Sequence, residues 1–224
     1  MNHHRQTQEG AIRQVATVNF PTRWGLFRMV AFERDLEQSA VGCPQTAQAL
    51  VLGEIGGGPA LVRIHSQCIT GEALGSLRCD CAAQLHMALS LISGAGSGVL
   101  IYEQQEGRGI GLMAKLRAYQ LQDEGLDTVQ ANERLGLKPD YRDYRLPAEI
   151  LKLFGIRQVR LISNNPDKIS AVERAGIRVV ERVPCEVASG AFAQRYLQTK
   201  RVKCGHLFPS LIAVSRSTVQ ELSA

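Results

Sequence analysis

The chain has 224 residues, with 26 Lys or Arg against 21 Asp or Glu, a formal charge of +5, 45% hydrophobic residues and only 5% aromatics. No apolar run nears the ~20 residues that span a bilayer, no block of like charges marks a nucleic-acid tail, and MNHHRQTQEG lacks the apolar stretch of a secretion signal. These features exclude collagen, coiled coil, membrane-spanning protein and bulk disorder, and leave a cytoplasmic globular protein with an aliphatic core, no membrane and no nucleic-acid partner, open to an anionic substrate.

Residues 1–14 are polar and expected to fray. Residues 17–66 read as strands at Val18–Phe20, Leu26–Phe32, Ala49–Gly53 and Ala60–Ile64, with a loop over Glu37–Thr46 and a turn at Gly56–Pro59. From Ala82 the period changes. Leu85, Leu89 and Ile92 mark a helix stopped by Gly94, and Gly98–Tyr102 is a short strand. Leu112, Leu116 and Tyr119 mark a second helix, ended by Gly125, and Thr128–Leu135 a third, stopped by Gly136. Pro147 sits in the first turn of a fourth, which Gly155 ends. Val159–Ile162 is a strand, Asn165-Pro166 opens a helix that ends at Gly176, and Ile177–Val183 is a last strand. Alternation from residue 82 onward, after a strand-rich beginning, predicts an α/β fold with a mixed sheet and flanking helices. No linker or repeat divides the chain, so a single domain over 1–224 is expected, with 1–14 and 208–224 as peripheral extensions.

Six cysteines are too sparse for a disulfide scaffold, and a tight cluster in a reduced setting reads as metal binding or catalysis. Cys79 and Cys81 flank one residue, and Cys68 lies upstream. Together they can supply three thiolates from two loop segments if the backbone is irregular between them. Three protein ligands with an open position is the arrangement of a catalytic zinc, which lowers the pKa of bound water toward ~7. The alternative is three unliganded thiols. His65 and His86 could also serve, although His86 lies in a helical segment where a local or solvent-facing role is expected.

Groups suited to a nucleotide collect at strand ends. Arg63-Ile-His-Ser-Gln-Cys68 brings a guanidinium, a hydroxyl and an amide to the first thiol. Glu103–Gly111 follows a strand and precedes a helix, with Gly107, Gly109 and Gly111 permitting close backbone approach and Arg108 offering a phosphate-matching fork. Asp140-Tyr-Arg-Asp-Tyr-Arg145 packs two carboxylates and two guanidiniums, and Ser163-Asn-Asn-Pro-Asp-Lys168 opens a helix after a strand. Each alone reads equally as a solvated loop. Several in one domain, beside an open zinc, suggest an active site across strand ends.

In order and spacing, Arg63-Ile-His-Ser-Gln-Cys68-Ile-Thr-Gly71, Ser76-Leu-Arg-Cys-Asp-Cys81, Gln105-Glu-Gly-Arg-Gly-Ile-Gly-Leu112, Lys115-Leu-Arg-Ala-Tyr119, Asp140-Tyr-Arg-Asp143 and Asn164-Asn-Pro166 resemble GTP cyclohydrolase II, the enzyme opening riboflavin biosynthesis. The resemblance runs from Phe20 to Lys203-Cys-Gly-His-Leu207. It implies one catalytic Zn²⁺ on Cys68, Cys79 and Cys81, Mg²⁺ on the GTP phosphates, and a homodimer. It implies GTP contacts from Arg63, Ile64, His65, Ser66, Gln67, Gln84, Glu106, Gly107, Arg108, Thr128, Ser163 and Lys168. Asp140 would accept a proton, Arg142 would attack phosphorus, and Tyr119 would sit near C8 of the base. The implied products are 2,5-diamino-6-ribosylamino-4(3H)-pyrimidinone 5′-phosphate, formate and pyrophosphate. Two positions depart from the family's usual residues: Gln67 stands where Glu is usual, and Ser163 where Thr is usual. Because a guanidinium is a poor nucleophile, Arg142 reads equally as a clamp on transition-state charge. The competing functions are a paralogue that retains the formyl group or stops at a partial product, and a non-catalytic zinc or nucleotide-binding domain.

Overall fold

A computed structural model describes residues 10–34, 45–138 and 140–187. One seven-stranded sheet carries them. Its strands are β1 (Ile12–Thr22), β2 (Gly25–Arg34), β3 (Gln45–Leu52), β4 (Ala60–Ser66), β5 (Gly98–Glu103), β6 (Gln158–Ile162) and β7 (Arg178–Val183), in the spatial order β1-β2-β3-β5-β4-β6-β7. β1, β2, β3 and β5 pair antiparallel, while β5, β4, β6 and β7 pair parallel, so the mixed sheet expected from the sequence is present. The helices are α1 (Ile69–Glu72), α2 (Cys81–Ala95), α3 (Leu112–Asp123), α4 (Thr128–Arg134), α5 (Arg145–Leu153) and α6 (Pro166–Arg174).

The core has two halves because the central strands are apolar on both faces, as parallel strands covered by helices must be. On one face Val62, Ile64, Val99 and Ile101 pack against Leu146, Ile150 and Leu151 of α5 and Val172 of α6. On the other, Leu61, Leu100 and Ile162 pack against Ala88, Leu89 and Ile92 of α2. Cys185 belongs to this second half as a buried packing residue. Cys43, Cys204 and the 203–207 motif lie outside the described residues, as do 208–224.

Several boundaries differ from the sequence expectation, each for a physical reason. Pairing begins at Ile12 rather than after residue 14, since Ile12 and Arg13 already oppose Arg34 and Glu33 across the hairpin. Gln45 and Thr46, expected in a loop, begin β3 because they pair with Arg34 and Glu33 of β2; the rest of that loop lies outside the described residues. Helix α2 runs past Gly94 and ends at Gly96, whose φ of 71° is the left-handed cap that glycine adopts without strain. Helix α3 does not bury the face marked by Leu112, Leu116 and Tyr119. Leu116 is exposed and the buried positions are Lys115 and Ala118, because α3 covers polar strand ends instead of the apolar core. The short α1, within the cysteine segment, had no apolar period to announce it.

The topology fixes where a site can form. β4 leads through α2 to β5 on one side, while β6 joins β4 on the other. That reversal opens a crevice at the carboxyl ends of the parallel strands, the usual ligand position in open α/β sheets. The segments leaving β4, β5 and β6 there are those that carry Gln67-Cys68, Gln105–Gly109 and Ser163–Asn165.

Candidate active site and metal centre

Cys68 precedes α1, Cys79 lies in the following turn, and Cys81 is the first residue of α2. The non-helical Asp80 between the pair turns both sulfurs inward. The three Sγ atoms lie within 4.8 Å of one another, and those of Cys68 and Cys79 are 3.6 Å apart. A tetrahedral zinc with bonds of about 2.3 Å needs sulfurs roughly 3.8 Å apart, close to the Cys68–Cys79 separation, so the donor set fits zinc. Gly71 leaves the space: a Cβ there would come within 2.9 Å of the Cys79 sulfur and 3.4 Å of the Cys68 sulfur. Among the described residues no fourth Cys, His, Asp or Glu joins the group. His65 is turned to Glu72 and His86 lies against Trp24, so neither completes it.

The trio shares its protons unequally. Hydrogen bonding from Cys79 and Cys81, aided by the Lys115 ammonium, holds the Cys68 thiol far below its usual range, and the same Cys68 contact pushes the Cys79 thiol up.

The cysteines form one wall of a cleft of about 690 Å³, measured out to its open mouth. Gln67, Glu106, Gly107, Arg108, Tyr119, Thr128 and Arg142 line it too, together with Ser66 and Arg78. Arg108 reaches the cleft from a left-handed backbone (φ 60°), and its carbonyl accepts from the Tyr141 N–H at 2.9 Å. Gly109 permits that contact, since a Cβ would sit 3.0 Å from Tyr141 Cβ. Tyr119 is half-buried, with the Arg78 guanidinium 4.8 Å and the Lys115 ammonium 5.6 Å from its ring centre. Burial keeps its phenol protonated, so it can donate.

A second cavity adjoins the first and shares Ser66, Cys81 and Arg142 with it. Arg63, His65, Gln84, Ser163 and Lys168 line it. Much of this polar set is bound internally. Arg63 donates to the Ile162 carbonyl at 3.0 Å and to Gln84 Oε1 at 2.8 Å, and Lys168 Nζ donates to the Ile64 carbonyl at 2.8 Å. Ile64 itself is a fully buried core side chain, so its side chain reaches neither cavity. His65 is stacked on Tyr102 and 2.8 Å from Glu72; burial lowers its pKa to about 4, leaving it neutral at pH 7. The Ser163 hydroxyl closes a local turn with Asn165.

Asp140 lies outside both cavities, in an open cleft that Arg142 also borders. Its carboxylate takes Arg142 Nε at 3.0 and 3.1 Å and Nη2 at 2.5 Å. Burial works against the charge, but Arg142 outweighs it and holds the Asp140 carboxyl below its usual range. Asp140 and Arg142 are thus held together, and Arg142 shares the lining of the main cleft with Tyr119 and the cysteines.

Sequence reasoning missed four supporting residues. Gln105 clamps the Asp140–Asp143 loop to the sheet: its amide donates to the Asp143 carbonyl at 2.6 Å and accepts from the Asp143 N–H at 2.8 Å. Glu72 accepts from Tyr102 at 2.5 Å while facing His65. Lys115 is buried beside Cys68. Glu103, 1% exposed, has one carboxylate oxygen without a hydrogen-bond partner, and burial pushes its pKa up to about 7 against the pull of Lys168 and Gln105. The available signal was weak: each lies beside a motif residue, but glutamine, glutamate and lysine ordinarily belong to the surface.

Three cysteine sulfurs facing a cleft lined by guanidiniums at the strand ends of an α/β sheet define a candidate metal centre suited to an anionic ligand. A family model described as GTP cyclohydrolase II matches residues 13–184, and the chain belongs to that family. It is 52% identical over 197 residues to a GTP cyclohydrolase-2 of Cronobacter sakazakii, covering 88% of this chain and 97% of the relative. It is 49% identical over 198 residues to a GTP cyclohydrolase-2 of Haemophilus influenzae, covering 87% and 88%. It is also 49% identical over 197 residues to the riboflavin biosynthesis protein RibBA of Chlorobium phaeovibrioides, covering 88% of this chain but 47% of that longer relative.

Two outcomes follow from this geometry. Gly71→Ala drives a methyl into the Cys79 and Cys68 sulfurs, so zinc affinity by competition with a chromophoric chelator should fall at least tenfold while the fold persists by circular dichroism. Glu103 ionises near 4.5 in the unfolded chain and near 7 in the native one. The native state therefore binds the extra proton, and the stability this gives is complete below pH 4.5 and lost as pH rises toward 7, by roughly 3 kcal/mol at most. Urea midpoints measured from pH 4.5 to 8 should fall less steeply for Glu103→Gln than for the parent.

Proposed function

We infer that the protein hydrolyses GTP to 2,5-diamino-6-ribosylamino-4(3H)-pyrimidinone 5′-phosphate, with release of formate and pyrophosphate, as the first step of riboflavin biosynthesis. The observation that carries the reading is the three-sulfur cradle opening onto a cleft with Glu106, Arg108 and Arg142, in a chain of this family. Zinc, if held by Cys68, Cys79 and Cys81, would supply an electrophile and an acidified water for opening the imidazole ring of the base. Mg²⁺ arrives with the substrate as the counter-ion of its phosphates.

The residues of the chain divide the remaining work. Arg108 and Arg142 meet the triphosphate with planar donors that match phosphate oxygens. Glu106, Gly107, Gln67, Ser66 and Thr128 line the cavity that receives the nucleoside, and Arg63, His65, Gln84, Ser163 and Lys168 border its extension. The protonated Tyr119 hydroxyl faces the metal side of the cleft and can hold the departing C8 fragment. A group already ionised and paired is a weak base, so the Asp140–Arg142 contact favours orientation over proton abstraction. In this reading Arg142 clamps charge on the phosphoryl group while water attacks phosphorus. The same reading includes a cytoplasmic homodimer. It is supported by the free thiols of Cys68, Cys79, Cys81 and Cys185 and by the exposed β1, where Val15, Val18 and Phe20 could meet a second copy. Among the described residues no helix is long and apolar enough to cross a membrane.

The test is incubation of zinc-loaded protein with GTP and Mg²⁺, with products identified by mass. Equimolar formate and pyrophosphate are expected; pyrophosphate without formate would instead support the paralogue that keeps the formyl group, and no turnover would support a binding domain. For the clamp, Arg142→Lys should be nearly as damaging as Arg142→Ala, each losing about 10²–10³ in kcat for pyrophosphate release. Lysine restoring the rate to within a few-fold of the parent would reduce Arg142 to a nonspecific positive charge.

A further inference from the structure

The buried Lys115 has no place in the reaction as outlined. It reaches from α3 to Cys68 and joins the lining of the cleft; its ammonium donates to Cys68 Sγ at 3.2 Å, Thr70 Oγ1 at 2.7 Å and Glu106 Oε1 at 2.7 Å. An ammonium has three protons, and three acceptors surround it. A lysine at the surface has many rotamers, whereas this one is fixed with its side chain 11% exposed. Cys68 thus carries a full positive charge at hydrogen-bonding distance from its sulfur. Glu106, the third acceptor, belongs to the loop that lines the nucleotide cleft.

From this arrangement we propose that Lys115 is a positioning residue of the metal centre: its hydrogen bond fixes the Cys68 thiolate and draws electron density from that sulfur. Three thiolates around a divalent cation carry one net negative charge, which opposes the arrival of a triphosphate and weakens the cation as an electrophile. An N–H···S bond to one thiolate offsets part of that charge at the metal itself. Because Glu106 shares the same ammonium, the metal centre and the nucleotide loop are held in one geometry. Outer partners of metal ligands typically change affinity by 10–100-fold when removed. The inference rests on the zinc reading above.

Co²⁺ is the probe, since its thiolate charge-transfer absorption reports the energy of the sulfur lone pairs. The variant is Lys115→Met, which keeps the length and apolar stem and deletes the donor. Expected are a red shift of the charge-transfer band and Co²⁺ binding weakened 10–100-fold. A role limited to packing would leave both unchanged, because methionine fills the same space, and that result overturns the proposal. A second measurement needs no variant. In parent protein loaded with ¹¹³Cd and labelled with ¹⁵N-lysine, an ammonium proton should show scalar coupling to the cadmium through the N–H···S bond. Absence of any coupled lysine overturns the proposal even where Lys115→Met does not fold. Failure of the parent to bind Co²⁺ or Cd²⁺ at all would strike the zinc reading instead, which keeps the two failures distinct.

Discussion

One buried carboxylate joins the parts of this site. Glu106 Oε2 accepts the Ile69 N–H at 2.7 Å, at the start of the metal loop, and Oε1 accepts from Lys115 on α3 at 2.7 Å and from its own loop at Gly107 N at 3.0 Å. The metal loop, the loop after β5 and helix α3 therefore meet on a single side chain. The charge is tolerable in that position because every oxygen is used, and a buried charge without partners would cost several kcal/mol. The sheet brings the segments near one another, and Glu106 sets the distances between them.

The site is made of groups that would be costly singly and are acceptable together. Lys115, Glu106, Arg63, His65 and Lys168 are all buried, and most of their polar atoms meet another member of the set or a strand-end carbonyl. Strand-end carbonyls need donors once the ladder stops, and Ile64 and Ile162 find theirs in Lys168 and Arg63. Side chains that complete the sheet's hydrogen bonding are thus the same ones that border the cavity. Where satisfaction is incomplete, at Ser66 Oγ, Arg63 Nε and Glu103 Oε2, the unpaired atoms gather at the ends of β4 and β5.

The sequence was legible where one physical rule acted alone. Thiol spacing picked out Cys68, Cys79 and Cys81, and the fold does bring their three sulfurs within 4.8 Å of one another. The apolar runs at Ala60–Ile64 and Gly98–Tyr102 marked central strands, since both faces are covered. Reasoning failed where tertiary context reversed a residue's ordinary meaning. On α3 the leucines gave an amphipathic stripe, yet the inward positions are Lys115 and Ala118, because the surface beneath is a charged strand end. Ile64 sat inside a motif of ligand-like residues but alternates to the core face. Gln105 and Glu72 reach partners 38 and 30 residues away in sequence, which no local pattern can pair.

The departure at Gln67 gains meaning from the strand beside it. Ser66 pairs with Glu103 across β4 and β5, and the Gln67 N–H donates to the Glu103 carbonyl at 2.8 Å. A glutamate at 67 would add a negative charge one residue from Cys68 and one residue from the position opposite the buried Glu103. Two carboxylates so placed would each raise the cost of ionising the other. The amide keeps hydrogen-bonding capacity at 67 while leaving Glu103 as the acidic group at that strand end. The exchange of charge for amide therefore agrees with the local electrostatics of this chain.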